Sequence, residues 1–175
     1  LPSGGCDVSI VEQSITDLMG SNYGGVIAIK STVSPGTTDR LRSELKYENL
    51  CFVPEFLRER CAIADFTENH DVCVVGTYSN AIFEVVKKTH GRYPDKFYKC
   101  LPIEAELSKY FCNTYNATLI TFANAFYEFC QCFSADYSVV KDICSNRHYI
   151  HDEYLDCNPQ IRAFGGACLT KDLKA

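Results

Sequence analysis

At 175 residues, with 46% hydrophobic and 22% charged side chains, the chain can bury the core of one domain or slightly more, and its composition is that of a soluble globular protein. A net charge of -5 and the lack of any basic run exclude the electrostatic footprint of a nucleic-acid binder. Nothing marks a signal peptide, because no charged segment followed by an apolar one opens the chain.

The first hundred residues alternate helical and strand patterns. Residues 7–19 carry Ile10, Val11, Ile15 and Leu18 at helical spacing and stop at Gly20. The apolar run 26–29 predicts a buried strand, broken by Pro35-Gly36, and helical spacing resumes over 37–45. Residues 51–53 predict a short strand stopped by Pro54, and 72–75 another stopped by Gly76. A helix over 79–88, with Ile82, Val85 and Val86 inward, precedes a last strand over 97–101. Strands of continuous apolar character alternating with helices predict an α/β arrangement, with a parallel or mixed sheet covered on both faces.

The pattern then changes. After Pro102 there is no Gly or Pro to about Phe133, which predicts one helix of about thirty residues, with Glu104 and Glu106 favouring its N-terminal dipole. Helices of that length connect domains or form dimer interfaces. Residues 110–127 carry no charge, but their three asparagines and three threonines make a membrane span expensive, so a long buried soluble helix is expected. A helix over 137–144 and a polar, irregular segment over 145–163 lead to Gly165-Gly166-Ala167-Cys168.

The eleven cysteines form no CxxC pair and no Cys/His set at zinc spacing, so free thiols in a reducing, cytoplasmic compartment and no metal are expected. Cys168 differs from the others. The two glycines before it let the backbone approach a ligand, and Asp172 at i+4 would share its face if a helix begins there. Such a setting suits a nucleophilic thiol beside a proton-handling group, although a glycine turn with an inert cysteine has the same sequence. Lys109 and Asn113, at i,i+4 on the long helix, would make an oxyanion site, and also occur as a solvated pair. Thr32 and Glu55 follow predicted strand ends, where α/β sheets place ligands.

Four blocks carry a resemblance that runs essentially end to end: Lys30-Ser31-Thr32-Val33-Ser34-Pro35-Gly36-Thr37-Thr38; Val53-Pro54-Glu55-Phe56-Leu57-Arg58-Glu59; Glu106-Leu107-Ser108-Lys109-Tyr110 with Asn113; and Gly165-Gly166-Ala167-Cys168-Leu169-Thr170-Lys171-Asp172. In this order and spacing the chain resembles the nucleotide-sugar 6-dehydrogenases, among them the UDP-glucose and GDP-mannose dehydrogenases. The resemblance implies the C-terminal half of a Rossmann-like NAD-binding domain over 1–101. A long connecting helix and a helical central domain would then occupy 102–175. It implies oxidation of a nucleotide-sugar alcohol to the carboxylate, most closely UDP-glucose to UDP-glucuronate, with NAD and a thiohemiacetal and thioester on Cys168.

It further implies Lys109 and Asn113 as oxyanion donors, and Asp172, Glu55 and Thr32 as groups that move or position protons and water. Glu55, Phe56, Leu57, Arg58, Glu59, Lys109, Asn113, Phe164 and Gly165 would contact substrate. Ser31, Thr32, Glu59, Cys168 and Lys171 would contact NAD. A homodimer through the long helix follows from the same resemblance. The chain departs from the family at Ala163, Thr170 and Ala125, where the family has Gly, Pro and Glu, and it has no GxGxxG. A chain with only these parts is expected to bind NAD weakly and turn over little. GDP-mannose or a UDP-N-acetyl-hexosamine as substrate, or a non-catalytic dimerisation module, are the other readings that fit. A cysteine hydrolase does not, because none of the four histidines falls in a Cys/His pairing motif.

Overall fold

The computed structural model describes residues 6–58 and 61–162. The chain divides into two compact units, one up to Tyr110 and one from Phe111.

In the first unit the order is α1 (Ser9–Gly20), β1 (Ile27–Ile29), α2 (Thr37–Glu44), β2 (Leu50–Phe52), α3 (Ala62–Thr67), β3 (Val72–Gly76), α4 (Asn80–His90), β4 (Lys96–Cys100) and then α5 (Pro102–Cys132), which continues into the second unit. The strands form one sheet in the order β1-β2-β3-β4. β1 and β2 are parallel in the register Ile27↔Leu50 to Ile29↔Phe52, and β3 and β4 are parallel from Val72↔Lys96 to Gly76↔Cys100. The two halves meet antiparallel at Phe52↔Gly76, so the sheet is mixed.

Apolar burial sets the two faces. Ile15, Ile27, Ile29, Val33, Leu41, Leu50, Phe52 and Ala105 form one cluster, and Cys51, Val53, Cys73, Val75, Ile82 and Val86 the other. Each such aliphatic or aromatic side chain contributes about 1.5–3 kcal/mol by leaving water. β2 is buried at all three residues, as its continuous apolar run predicts. The edge strands are not. Ala28 in the middle of β1 is exposed, and β4 buries no residue completely, so coverage on both faces holds for the inner strands only. The 62–67 helix was not expected: a six-residue apolar stretch interrupted by Asp65 shows no helical period by itself.

Helix ends follow local chemistry. Ser79 caps α4 by accepting the Ile82 N–H, and Lys87, Lys88 and His90 occupy its last turn before Gly91 at φ 60°. Pro102 opens α5, and Glu104 reaches back to accept the Leu101 N–H at 2.7 Å, half of a capping box. Glu106 does not serve its own helix dipole as expected. Its buried carboxylate accepts the Gly36 N–H at 2.5 Å, the Thr38 N–H at 2.8 Å and the Thr38 hydroxyl at 2.6 Å, and so caps α2. Gly36, at φ 92°, has no side chain with which to do that.

The second unit holds the rest of α5 and α6 (Tyr137–Ser145), which Asp136 caps through the Ser138 N–H. Ala123, Tyr127, Cys130, Tyr137, Leu155 and Cys157 form its core. The Tyr137 hydroxyl donates to the Leu155 carbonyl at 2.8 Å, and Lys141 pairs with Asp156 at 2.7 Å, which ties the irregular 146–162 segment to α6. Residues 110–127 are helical, but the helix is not wholly buried. Phe111, Tyr115 and Phe122 are exposed on one face. No helix among the described residues is long and apolar enough to cross a membrane.

Candidate active site

The candidate site lies where β1 and β2, parallel neighbours, end side by side. Lys30, directly after β1, pairs its ammonium with the Glu55 carboxylate at 2.9 Å. Ser31 is exposed and Thr32 half-buried, and the Cys6 thiol donates to the Thr32 carbonyl at 3.4 Å. After β2, Val53 and Pro54 are buried and the chain rises through half-buried Glu55, Phe56 and Leu57. Strand ends of this kind leave backbone and short side chains free to meet a ligand.

Lys109, on the second turn of α5, donates to the Glu55 backbone carbonyl at 2.5 Å, and its ammonium lies 5.8 Å from the centre of the Phe56 ring. It is therefore packed against the 55–58 segment rather than solvated. Asn113, one turn further along the helix, is 8% exposed, a low value for an amide. The i,i+4 spacing read from the sequence is thus a real helical spacing, with Lys109 half-buried and Asn113 buried.

Arg58 is locked by a residue the sequence reading left out. Its N–H and Nε both donate to Asp65 at 2.9 Å, and its Nη2 donates to the other carboxylate oxygen at 2.7 Å. Asp65 in turn is almost fully buried, and the Cys61 thiol lies 3.6 Å from both of its oxygens. The Arg58 side chain first, then the Arg58 N–H, hold the Asp65 carboxyl well below the usual carboxylate range. The signal that could have found it is a lone acid inside Ala62-Ile63-Ala64-Asp65-Phe66, seven residues after an arginine. Lys30 was likewise unassigned, although it adjoins Ser31-Thr32.

Among the other thiols, burial pushes the Cys51 thiol up to about 12 and the Cys73 thiol up to about 11, so neither is a nucleophile at neutral pH. All described cysteines are free thiols, and among the described residues no three His, Cys, Asp or Glu side chains gather as metal ligands. Glu59, Phe164, Gly165, Cys168, Lys171 and Asp172 lie outside the described residues.

Ser31 and Thr32 present two hydroxyl-bearing side chains just after β1, one exposed and one half-buried. The glycine turn that grips a diphosphate is not among these 175 residues.

Comparison with known proteins yields two adjoining family matches. Residues 2–93 match the UDP-glucose/GDP-mannose dehydrogenase family, NAD binding domain, and residues 103–175 match the central domain of the same family. A UDP-glucose 6-dehydrogenase of Rickettsia bellii is 30% identical over 99% of the chain and 41% of that protein. A GDP-mannose 6-dehydrogenase of Pseudomonas putida is 29% identical over 85% of the chain and 36% of that protein. The solved structure of a UDP-glucose dehydrogenase from the archaeon Pyrobaculum islandicum superposes with a TM-score of 0.88 at 27% identity, over 99% of the chain and 42% of that structure. The chain spans about two fifths of the length of these relatives.

Proposed function

The chain belongs to the UDP-glucose/GDP-mannose dehydrogenase family, and on that premise we propose that it supplies part of the active site of an enzyme oxidising the C6 alcohol of UDP-glucose to UDP-glucuronate. The observation that carries this reading is the meeting of Lys109 from α5 with Glu55 and Lys30 at the ends of two parallel strands, Lys30 lying two residues before Thr32 in the chain.

The chemistry distributes as follows. The alcohol loses its hydroxyl proton to a base and a hydride from C6, leaving an aldehyde. The Cys168 thiolate adds to that carbon, and the resulting thiohemiacetal oxyanion gives up the second hydride to become a thioester. Water, relieved of a proton by Asp172 or Glu55 with Thr32, attacks the thioester. The C–S bond breaks, releasing the thiolate and the carboxylic acid, which gives up its proton to solvent to become the carboxylate. Lys109 and Asn113 donate to the oxygen that becomes negative at each tetrahedral stage, where charge-assisted donors withdrawn from water act most strongly. NAD+, when bound, would accept one hydride per molecule, so two are used in succession. Ser31 and Thr32, with Glu59, Cys168 and Lys171, would hold it, and residues 55–59 with Phe164 and Gly165 would hold the sugar.

Residues 1–101 form the NAD-binding part in this reading and 102–175 the central part, in a cytoplasmic homodimer joined through α5. The dimer is supported by the exposed rings of Phe122, Phe126, Phe129 and Phe133, which stack along one face at centroid separations of 5.7, 5.6 and 5.0 Å. GDP-mannose is the alternative substrate, because relatives named for either sugar match comparably. A purely dimerising role is the alternative without catalysis.

The test is calorimetric titration of the chain with NAD+, UDP-glucose, GDP-mannose and UDP-N-acetylglucosamine, together with NADH formation, using Cys168→Ser as control. Selective binding of UDP-glucose, with any NADH formation abolished in the variant, is expected. Binding of none of the sugars would sink the catalytic reading.

A further inference from the structure

We infer that Glu106, which stands outside the proposed reacting groups, is the positioning residue that sets Lys109 and the 31–36 loop relative to one another. The inference deepens the proposed function and rests on its reading of Lys109 and Thr32 as site residues.

Three observations converge. First, Glu106 is 1% exposed, a rare state for a carboxylate, and both its oxygens are occupied by donors from the start of α2. Those donors belong to the segment that begins with Ser31-Thr32. Second, α2 has no side-chain cap of its own, because its N-cap is a glycine in the left-handed region. The positive end of that helix therefore takes its negative charge from another element. Third, Lys109 stands three residues after Glu106, on the same side of α5, and reaches across to the Glu55 carbonyl.

The first two turns of α5 thus hold two strand ends at once, Glu106 the loop after β1 and Lys109 the segment after β2. Close packing leaves no slack in this arrangement. A Cβ at Gly76 would lie 2.7 Å from the Ala105 Cβ and 2.8 Å from the Pro102 Cα, so β3 already touches the start of α5. With the start of α5 packed there, Glu106 is what ties the loop after β1 to the helix; neutralising or shortening it lets the loop shift relative to α5, and the surroundings of Lys109 change with it.

A purely structural cap would cost stability and nothing else. The deciding readout is therefore the Lys109 ammonium itself. Reductive 13C-methylation gives each lysine an NMR signal, and Lys109→Arg identifies the one that belongs to Lys109. Glu106→Gln keeps the shape but turns two amide hydrogens toward donors. Thr38→Val removes one of the three bonds at nearly constant volume and carries the test if the glutamine variant does not fold. Ile82→Val, in the core cluster on the other face of the sheet, controls for general loosening.

A displaced Lys109 signal in Glu106→Gln, a smaller displacement in Thr38→Val and none in Ile82→Val is the expected result. UDP-glucose affinity should fall with it, by about tenfold or more, as for other misplacements of about 1 Å. The losses from Glu106→Gln and Lys109→Met should be less than additive when combined. An unmoved Lys109 signal in the folded variants overturns the inference. If the signal moves while the unmodified chain binds no nucleotide sugar, the positioning stands and the functional reading falls.

Discussion

In the unit that ends at Tyr110, carboxylates withdrawn from solvent have several donors each: Glu106 takes three hydrogen bonds, and Asp65 takes three from Arg58 alone. In the unit that begins at Phe111, large apolar rings stay in water, with Phe111 73% and Phe133 70% exposed. One helix carries both regimes. Its first turns bury Pro102, Ala105 and Glu106, and its later turns bury Ala117, Ala123, Tyr127 and Cys130 while an aromatic stripe faces out. The polar region is complete in itself, since satisfied buried groups specify one arrangement. The apolar stripe is a run of exposed contiguous rings, the kind of surface on which the proposed dimer would form.

The strongest way to sharpen that contrast is to remove Lys109, the cation assigned to the proposed site. Lys109→Met should cost about a hundredfold to a thousandfold in NADH formation, the size of losing one oxyanion donor. Where turnover is too slow to follow, the loss is read as weaker UDP-glucose binding. An unchanged rate and affinity would place Lys109 outside the site. The matching break on the apolar side is Phe122→Glu with Phe129→Glu. Two charges on the exposed stripe should weaken self-association by about a hundredfold, as loss of an interface anchor does. Sedimentation equilibrium across a concentration series checks it, and a dimer unaffected by both changes would remove α5 from the interface.

The regularities of this fold that depend on sequence neighbours were legible in the sequence. The apolar runs became β1 to β3, and the Gly- and Pro-free stretch became α5, within two residues of the expected ends. What depends on distant neighbours was not legible. α3 is short, and its only polar buried residue, Asp65, is explained by Arg58 on a loop, a pairing that no periodicity encodes. Glu106 was read as a partner of its own helix because acids near an N-terminus usually are. Its place on the inward stripe with Pro102 and Ala105 was the available sign that it serves another element. The site was half legible. Lys109 and Glu55 do meet, but through the Glu55 carbonyl, while the Glu55 carboxylate is taken by Lys30. A main-chain acceptor has no signature in the residue type.

A smaller effect tests how tightly the polar region is built. Gly76→Ala adds one methyl that would stand 2.7 Å from the Ala105 Cβ and 2.8 Å from the Pro102 Cα, closer than van der Waals contact allows. Overpacking of this kind costs about 1–3 kcal/mol. For a chain of this size each kcal/mol lowers the melting temperature by about 2–4 °C. Because the clash falls on the start of α5, the substitution should also reduce UDP-glucose affinity. Thermal melts without such a loss would mean that the helix can shift without disturbing Lys109.

The smallest expected effect concerns pH. Asp65 is ionised in the fold well below the usual carboxylate range because Arg58 donates to both of its oxygens. A carboxyl lowered on folding adds stability that is fully present above its unfolded value, about 4, and is lost as the pH falls through the lowered value. Asp65→Asn keeps the shape and removes the charge. The wild-type chain should therefore melt a few degrees above the variant at every pH from about 5 upward, and the gap should close as the pH drops below about 4. Arg58 is itself partly exposed, so solvent screens the pair and the plateau stays modest. A gap that persists unchanged at low pH would show that the charge of Asp65 contributes nothing to it. The ionic part of the fork to Arg58 would then not be what keeps the 55–58 segment in place beside Lys109.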